Sequence, residues 1–241
     1  MTCEDKAALT LGGRLILRRL PALNARAYAR GMTPEALVRS ATAREPVPLV
    51  EEISLLTAPP ALELWELWQQ TGRDDPPFWA YPWAGGQALA RHLLDHPGAV
   101  RGRRVLDVAS GSGLVAIAAA KAGALSVAAG DIDPLAVAAI TVNALANGVA
   151  VAARVLDLAA EDAGDAEVVL AGDVFYQRQL AELALGFLRA AVRAGAEVLV
   201  ADPGRAFVPV GSLTALARYE VPVLTAIEDA PVKTVTVYRL S

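Results

Sequence analysis

The feature that most constrains the fold is a regular alternation of short apolar runs with longer helical ones, beginning near residue 85. Apolar, β-branched runs at 105–108, 127–129, 153–156, 168–171 and 198–201 read as strands, and the stretches 87–94, 115–121, 135–147 and 179–194 read as helices. Strands of three or four residues joined by helices of about a dozen demand a parallel sheet buried on both faces, because a parallel pair needs a crossover and the crossover helix must cover the sheet. The end of the chain breaks the rule. Two strand-like runs, 219–224 and 234–240, are separated by an acidic, proline-containing turn too short for a crossover helix. They are therefore expected as an antiparallel edge. The fold class is α/β: a Rossmann-like sheet of seven strands, helices on both faces and an antiparallel C-terminal edge.

Three segments are expected: a basic arm at 1–45, partly helical; an extension at 46–84 packing on the core; and the main domain at 85–241. Thr33 followed by Pro34 marks a helix start, 49–56 reads as a strand, and 61–70 carries Leu62, Trp65 and Trp68 at helical spacing. No apolar run reaches the roughly 18 residues of a membrane-spanning helix, so no membrane partner is expected. The single cysteine, Cys3, excludes an internal disulfide and a zinc-thiolate module. The net charge of −4 divides into +4 over residues 1–45 (eight Lys/Arg, four Asp/Glu) and −8 over the rest (fourteen against twenty-two), and so acidic a body argues against a nucleic-acid partner. Glu4 and Asp5 spoil the acid-poor pattern of a transit peptide. A cytoplasmic monomer is the expectation, or the mitochondrial matrix in a eukaryote.

Chemistry is concentrated where the first core strand ends. The run Val105-Leu-Asp107-Val-Ala109-Ser-Gly111-Ser112-Gly113 closes a strand in a small-residue turn and opens a helix. Such a turn lets backbone N–H groups approach a ligand closely. Asp131, at the end of the next strand, stands where a carboxylate accepts the hydroxyls of a ribose. Together they point to a nucleoside-containing cofactor. Gly111-x-Gly113-x-x-Ala116 also reads as a dinucleotide fingerprint. Asp107, however, places negative charge beside the turn, which repels a pyrophosphate and favours the sulfonium and ammonium of S-adenosylmethionine.

With these residues in view, Asp107-x-Ala109-x-Gly111-x-Gly113 resembles the first motif of the seven-strand methyltransferases. The segments 77–87 (PFWAYPWAGGQ), 131–134 (DIDP), 172–176 (GDVFY) and 202–205 (DPGR) resemble, more specifically, the electron transfer flavoprotein β-subunit lysine methyltransferases, over residues 46–240. The resemblance implies S-adenosylmethionine as methyl donor and that flavoprotein's β subunit as acceptor, at lysines near its recognition loop. It implies that Trp83 flanks the cofactor pocket, that Gly111, Ser112 and Gly113 pass under the methionine part, that Asp131 holds the ribose, and that Asp157 and Leu158 lie near the adenine. The resemblance also implies that Gly172 binds the cofactor. Asp173 would orient the acceptor amine, and Tyr176 would supply an aromatic wall or a hydroxyl beside the lysine. Many relatives carry glycine where this chain has Ala109, so a conventional backbone angle is expected there.

Two other functions stay open: a methyltransferase on another protein, such as a ribosomal protein, or on a small amine; and an NAD-binding oxidoreductase. No metal site is expected. His92 and His96 lack a third ligand and are expected on the surface, and Ser110 and Ser112 lack the G-x-S-x-G setting of a hydrolase nucleophile. Residues 202–205 read equally as a substrate-facing rim or as a tight Pro-Gly turn.

Overall fold

The computed structural model describes residues 32–58, 77–223 and 230–241. The helix expected at 61–70, with Trp65 and Trp68, lies outside them. In chain order the elements are α1 (Pro34–Ala41), β1 (Ala43–Val47), β2 (Val50–Thr57), a 3-10 turn (Phe78–Ala80), α2 (Ala84–Asp95) and β3 (Arg104–Val108). They continue with α3 (Leu114–Lys121), β4 (Ser126–Asp131), α4 (Pro134–Ala146), β5 (Ala152–Val155), β6 (Val168–Gly172), α5 (Arg178–Arg193), β7 (Glu197–Asp202), β8 (Leu213–Pro222) and β9 (Val232–Leu240).

The seven-stranded sheet runs β5-β4-β3-β6-β7-β9-β8. The first five strands are mutually parallel, and β9 pairs antiparallel with both β7 and β8. Alternate residues feed opposite layers. Val105, Val168, Leu170, Leu199 and Ala201 pack under α2, α3 and the β1–β2 hairpin, while Leu106, Val108, Val169, Ala171, Val198 and Val200 pack under α5. Each valine or leucine among them contributes about 1.5–3 kcal/mol when fully removed from water. The helices differ accordingly. In α3, Leu114 to Ala119 are all buried, because hairpin, sheet and α2 surround it, whereas α5 buries one stripe, Ala181, Ala184, Phe187, Leu188 and Ala191.

Two strands depart from expectation. β1 has the sequence AREPV with only Val47 buried; it forms because β2 offers a partner, and Pro46 sits at an irregularity of that pair, where a missing N–H is tolerated. β8 begins at Leu213 rather than 219, since a register shift between Ala215 and Ala217 interrupts the alternation on which the sequence reading relied. The start of α1 is as expected: the Thr33 side chain accepts the Ala36 N–H at 3.3 Å, with Pro34 in the first turn. Leu37, Val38 and Ala41 pack on α4. Among the described residues no helix is long and apolar enough to cross a membrane.

For function the decisive feature is the order β4-β3-β6-β7. The chain leaves β3 toward β4 and returns to the other side of β3 as β6, so the carboxyl ends of β3 and β6 diverge at a switch point where such sheets bind ligands.

Candidate active site

The loop after β3 bends through three left-handed residues: Ala109 at φ +49°, Gly111 at +53° and Gly113 at +84°. The conventional angle expected of Ala109 is therefore incorrect. The loop imposes the glycine-like conformation on alanine, at a cost of about 1–2 kcal/mol. Gly113 is needed for close packing as well, since a Cβ there would stand 3.1 Å from the Ile140 Cα. Gly111 faces open space, its nearest neighbours being the Phe78 carbonyl oxygen and the Trp79 Cα, each 3.9 Å from where a Cβ would lie. That clearance leaves room for a ligand to approach the backbone.

Two aspartates fix this loop. Asp107 is buried, and its Oδ2 accepts the Ser110 hydroxyl at 2.5 Å and the Ala116 N–H at 3.1 Å. Burial pushes its carboxyl up to about 7, against those two hydrogen bonds. It pins the loop to α3. Asp131 accepts the Gly111 N–H on Oδ2 at 2.9 Å and the Asp133 N–H on Oδ1 at 3.0 Å; burial raises its carboxyl too. The Ile132 backbone adds a third hydrogen bond, and the carboxylate keeps acceptor capacity for one more donor. Asp133 caps α4 through the Leu135 N–H at 3.0 Å, ahead of Pro134.

The Leu156 N–H donates to the Asp131 carbonyl at 3.0 Å, which brings 157 and 158 beside the end of β4. Asp157 is exposed and accepts the Ala159 N–H at 2.9 Å, while Leu158 is half-buried against the α5 layer. Ser112 is buried, and its carbonyl accepts Nδ2 of Asn143 at 2.8 Å.

The second cluster surrounds the end of β6. Asp173 is only 9% exposed and adopts φ +54°. Its N–H donates to the Ala201 carbonyl at 3.0 Å, its Oδ2 accepts the Gly86 N–H at 3.0 Å, and its Oδ1 lies 3.2 Å from Nη2 of Arg205. Burial is the main influence raising its carboxyl to about 6; the Arg205 charge opposes that rise and the Asp202 charge adds to it. The first turn of α2 is forced against this carboxylate. A Cβ at Gly172 would be 3.0 Å from the Gly86 nitrogen, and one at Gly85 would be 2.5 Å from Asp173 Oδ2. Tyr176 is 37% exposed, with its ring 5.4 Å from Phe78, which in turn lies 5.8 Å from Trp83. Trp83 is half-buried and donates Nε1–H to the Phe78 carbonyl at 2.8 Å. Phe78 thus ties the two clusters together, because its backbone borders Gly111 and its ring meets Tyr176 and Trp83.

Several residues here escaped the sequence reading. Phe78, Gly85 and Gly86 lay within a noticed segment but received no role, and adjacent glycines opening a helix were the available signal. Asn143, fully buried in a mostly apolar helix, bridges the loop carbonyl of Ser112 and the Leu56 N–H of the hairpin at 2.8 Å each. A lone amide among alanines was its signal. Arg205, expected only within a substrate-facing rim or a tight turn, is brought against Asp173 by that turn. His92 corrects an expectation: it is buried, 3.1 Å from the Tyr219 hydroxyl and stacked at 4.5 Å on His96, because the strands β8 and β9 cover that side of α2. Among the described residues no group of three or more His, Cys, Asp or Glu is placed to hold a metal ion.

Comparison with known proteins decides the family. Over 183 residues the chain is 38% identical to the electron transfer flavoprotein beta subunit lysine methyltransferase of Xenopus laevis, covering 72% of this chain and 71% of that protein. The chain belongs to this lysine methyltransferase family. The Homo sapiens member is 36% identical over 166 residues, which are 65% of this chain and 61% of the human protein, so the chain spans somewhat less than two thirds of that relative. Residues 90–185 also match the ribosomal protein L11 methyltransferase (PrmA) family, a stretch that runs from α2 into α5 and holds the glycine loop, Asp131 and Asp173. Among solved structures, the tRNA (uracil-54, C5)-methyltransferase of Pyrococcus abyssi, in complex with S-adenosyl-L-homocysteine, superposes with a TM-score of 0.52 at 14% identity. It covers 83% of this chain and 44% of that one, and supports the fold alone.

Proposed function

We propose that the protein transfers methyl groups from S-adenosylmethionine to lysine side chains of the electron transfer flavoprotein β subunit, beside its recognition loop. The observation that carries this reading is the Asp173 carboxylate: buried, held in a strained left-handed backbone, oriented by a backbone N–H and a guanidinium, and set beside Tyr176 at the switch point of the sheet. Strain of about 1 kcal/mol or more persists where surrounding contacts over-determine it, commonly at functional sites.

The cradle fits the donor. Gly111 leaves room for a ligand against backbone, Asp131 retains acceptor capacity for a ribose, and the half-buried Trp83 and exposed Tyr176 offer apolar and π surface to a cation. Asp157 and Leu158, beyond the end of β5, are assigned to the adenine side, with Ser112, Gly113 and Gly172 shaping the floor and wall. S-adenosylmethionine supplies an electrophilic methyl group on a sulfonium. The chain's own residues must deliver a neutral amine in line with it. The ammonium gives its proton to solvent before it enters, and the apolar faces of Phe78, Trp83 and Tyr176 favour the neutral amine beside them. Asp173 then accepts an N–H of the neutral amine on a remaining lone pair and aims the nitrogen lone pair at the methyl carbon. Tyr176 packs beside the lysine stem. The acidic body favours a lysine-bearing partner, with an attraction weakened by physiological salt.

The test is incubation of the protein with labelled S-adenosylmethionine and purified flavoprotein, followed by mass spectrometry. Methyl adducts on β-subunit lysines are expected, and unmodified lysines there alongside efficient labelling of another protein would reassign the substrate. Asp173→Asn is the sharpest variant, since asparagine tolerates φ +54° better than alanine does. Cofactor affinity should persist while turnover falls by about 100-fold or more; full turnover would make Asp173 structural.

A further inference from the structure

We propose that Arg205 is a positioning residue for methyl transfer, its guanidinium setting both the direction and the charge of the Asp173 carboxylate. The inference rests on the reading of Asp173 given above. Asp202, at the end of β7, accepts the N–H groups of Gly204 and Arg205 on Oδ1 at 2.7 and 2.6 Å, and Gly204 takes φ +88°. This tight turn folds Arg205 back over the neighbouring strand, where Gly172 of β6 pairs with Ala201 of β7. The result is an ion pair at 3.2 Å with side chains only 23% and 10% exposed. The turn geometry needs only Asp202 and Gly204. A guanidinium at 205 is not required by it.

Two donors from different elements, Gly86 N–H from α2 and Arg205 from the turn after β7, take one oxygen each and fix the carboxylate plane. Each oxygen keeps a lone pair for an amine. The charged groups acting on Asp173 are Arg205 and Asp202; the α2 residues nearest to it, Gly85 and Gly86, bring only backbone. Burial and Asp202 both push the carboxyl toward its neutral form, and the Arg205 charge is the largest influence in the other direction. A protonated Asp173 would present a hydroxyl donor to the amine on one oxygen and would lose its charge-assisted hydrogen bond. Arg205 therefore keeps the acceptor an acceptor at neutral pH.

The experiment is a titration of the Asp173 carboxyl by NMR in the full chain labelled with carboxyl-13C aspartate, the resonance being assigned with Asp173→Asn, together with pH profiles of methyl transfer. In Arg205→Gln the midpoint should rise by about one to two units. From a starting value of about 6, that leaves roughly half to nine-tenths of Asp173 protonated at pH 7, and turnover lost at pH 7 should recover in part at higher pH. Arg205→Lys, which keeps the charge but not the planar fork, should hold the midpoint near that of the parent while kcat falls and KM for S-adenosylmethionine stays unchanged. An unmoved midpoint in Arg205→Gln, or a lysine variant titrating like the glutamine one, overturns the inference. Should Asp173→Asn turn over fully, the reading of Asp173 itself fails, which the Arg205 titrations alone would not show.

Discussion

Replacing Gly85 with alanine tests the central contact of the site, between the first turn of α2 and Asp173. A Cβ there would lie 2.5 Å from Asp173 Oδ2, 2.6 Å from the Ala201 carbonyl oxygen and 2.8 Å from Asp173 Cγ. Neither neighbour yields readily. The Ala201 oxygen is backbone and already accepts the Asp173 N–H, and the carboxylate is held by Gly86 and Arg205. Overpacking of this kind costs about 1–3 kcal/mol, offset by about 1 kcal/mol from alanine's better helix propensity. The net loss is about 0–2 kcal/mol, a fall in Tm of up to about 4–8 °C. Gly86→Ala is the internal contrast, since its Cβ would meet nothing nearer than the Leu114 Cδ2 at 3.9 Å. That variant should gain up to about 1 kcal/mol in stability. Thermal denaturation of the pair reads the sign. Methyl-transfer kinetics should show kcat of Gly85→Ala reduced about tenfold or more at unchanged cofactor affinity, because the carboxylate is pushed off its line. Two alanine variants with equal Tm, or a Gly85→Ala enzyme as active as its parent, would refute the close approach on which the site is built.

Other perturbations follow from the same geometry. Asp131→Ala should weaken S-adenosylhomocysteine binding by about 1–3 kcal/mol in calorimetry, because it removes both the assigned ribose acceptor and the Gly111 tether; unchanged affinity would remove Asp131 from the cofactor site. Asp107 has a folded pKa of about 7, above an unfolded value of about 3.9. Its favourable contribution is therefore fully present below about pH 4 and is lost as pH rises through about 7. Asp107→Asn, neutral throughout, should show a flatter loss of stability between those limits in denaturant titrations, and parallel curves for variant and parent would contradict the burial argument. Asn143→Ala leaves the Ser112 carbonyl and the Leu56 N–H without their buried partner, a loss of about 1–3 kcal/mol for each such group. Stability and cofactor affinity should both drop, whereas Asn147→Ala, which frees only hairpin bonds at Ser54 and a helix carbonyl, should leave affinity unchanged.

What could be read from the chain alone was whatever depends on local pattern. Alternating apolar runs dictated the strands and their helices, Thr33-Pro34 marked a helix start by its own capping chemistry, and the glycine loop with Asp131 marked the ligand end of the sheet. These signals lie within a few residues of one another, so sequence spacing carries them. Other features needed the fold. The left-handed Ala109 and Asp173 are conformations that their side chains do not favour, and only surrounding contacts impose them. β1 exists because β2 is there to pair with it, and the extra length of β8 hides behind a bulge. The Arg205–Asp173 pair joins residues 32 positions apart, the Gly86–Asp173 bond 87, and Asn143 reaches loop and hairpin across 31 and 87. Local pattern determined which elements form and where the ligand end lies; tertiary packing decided which charges meet there, because burial and the approach of distant backbone set the orientation and ionisation of Asp173.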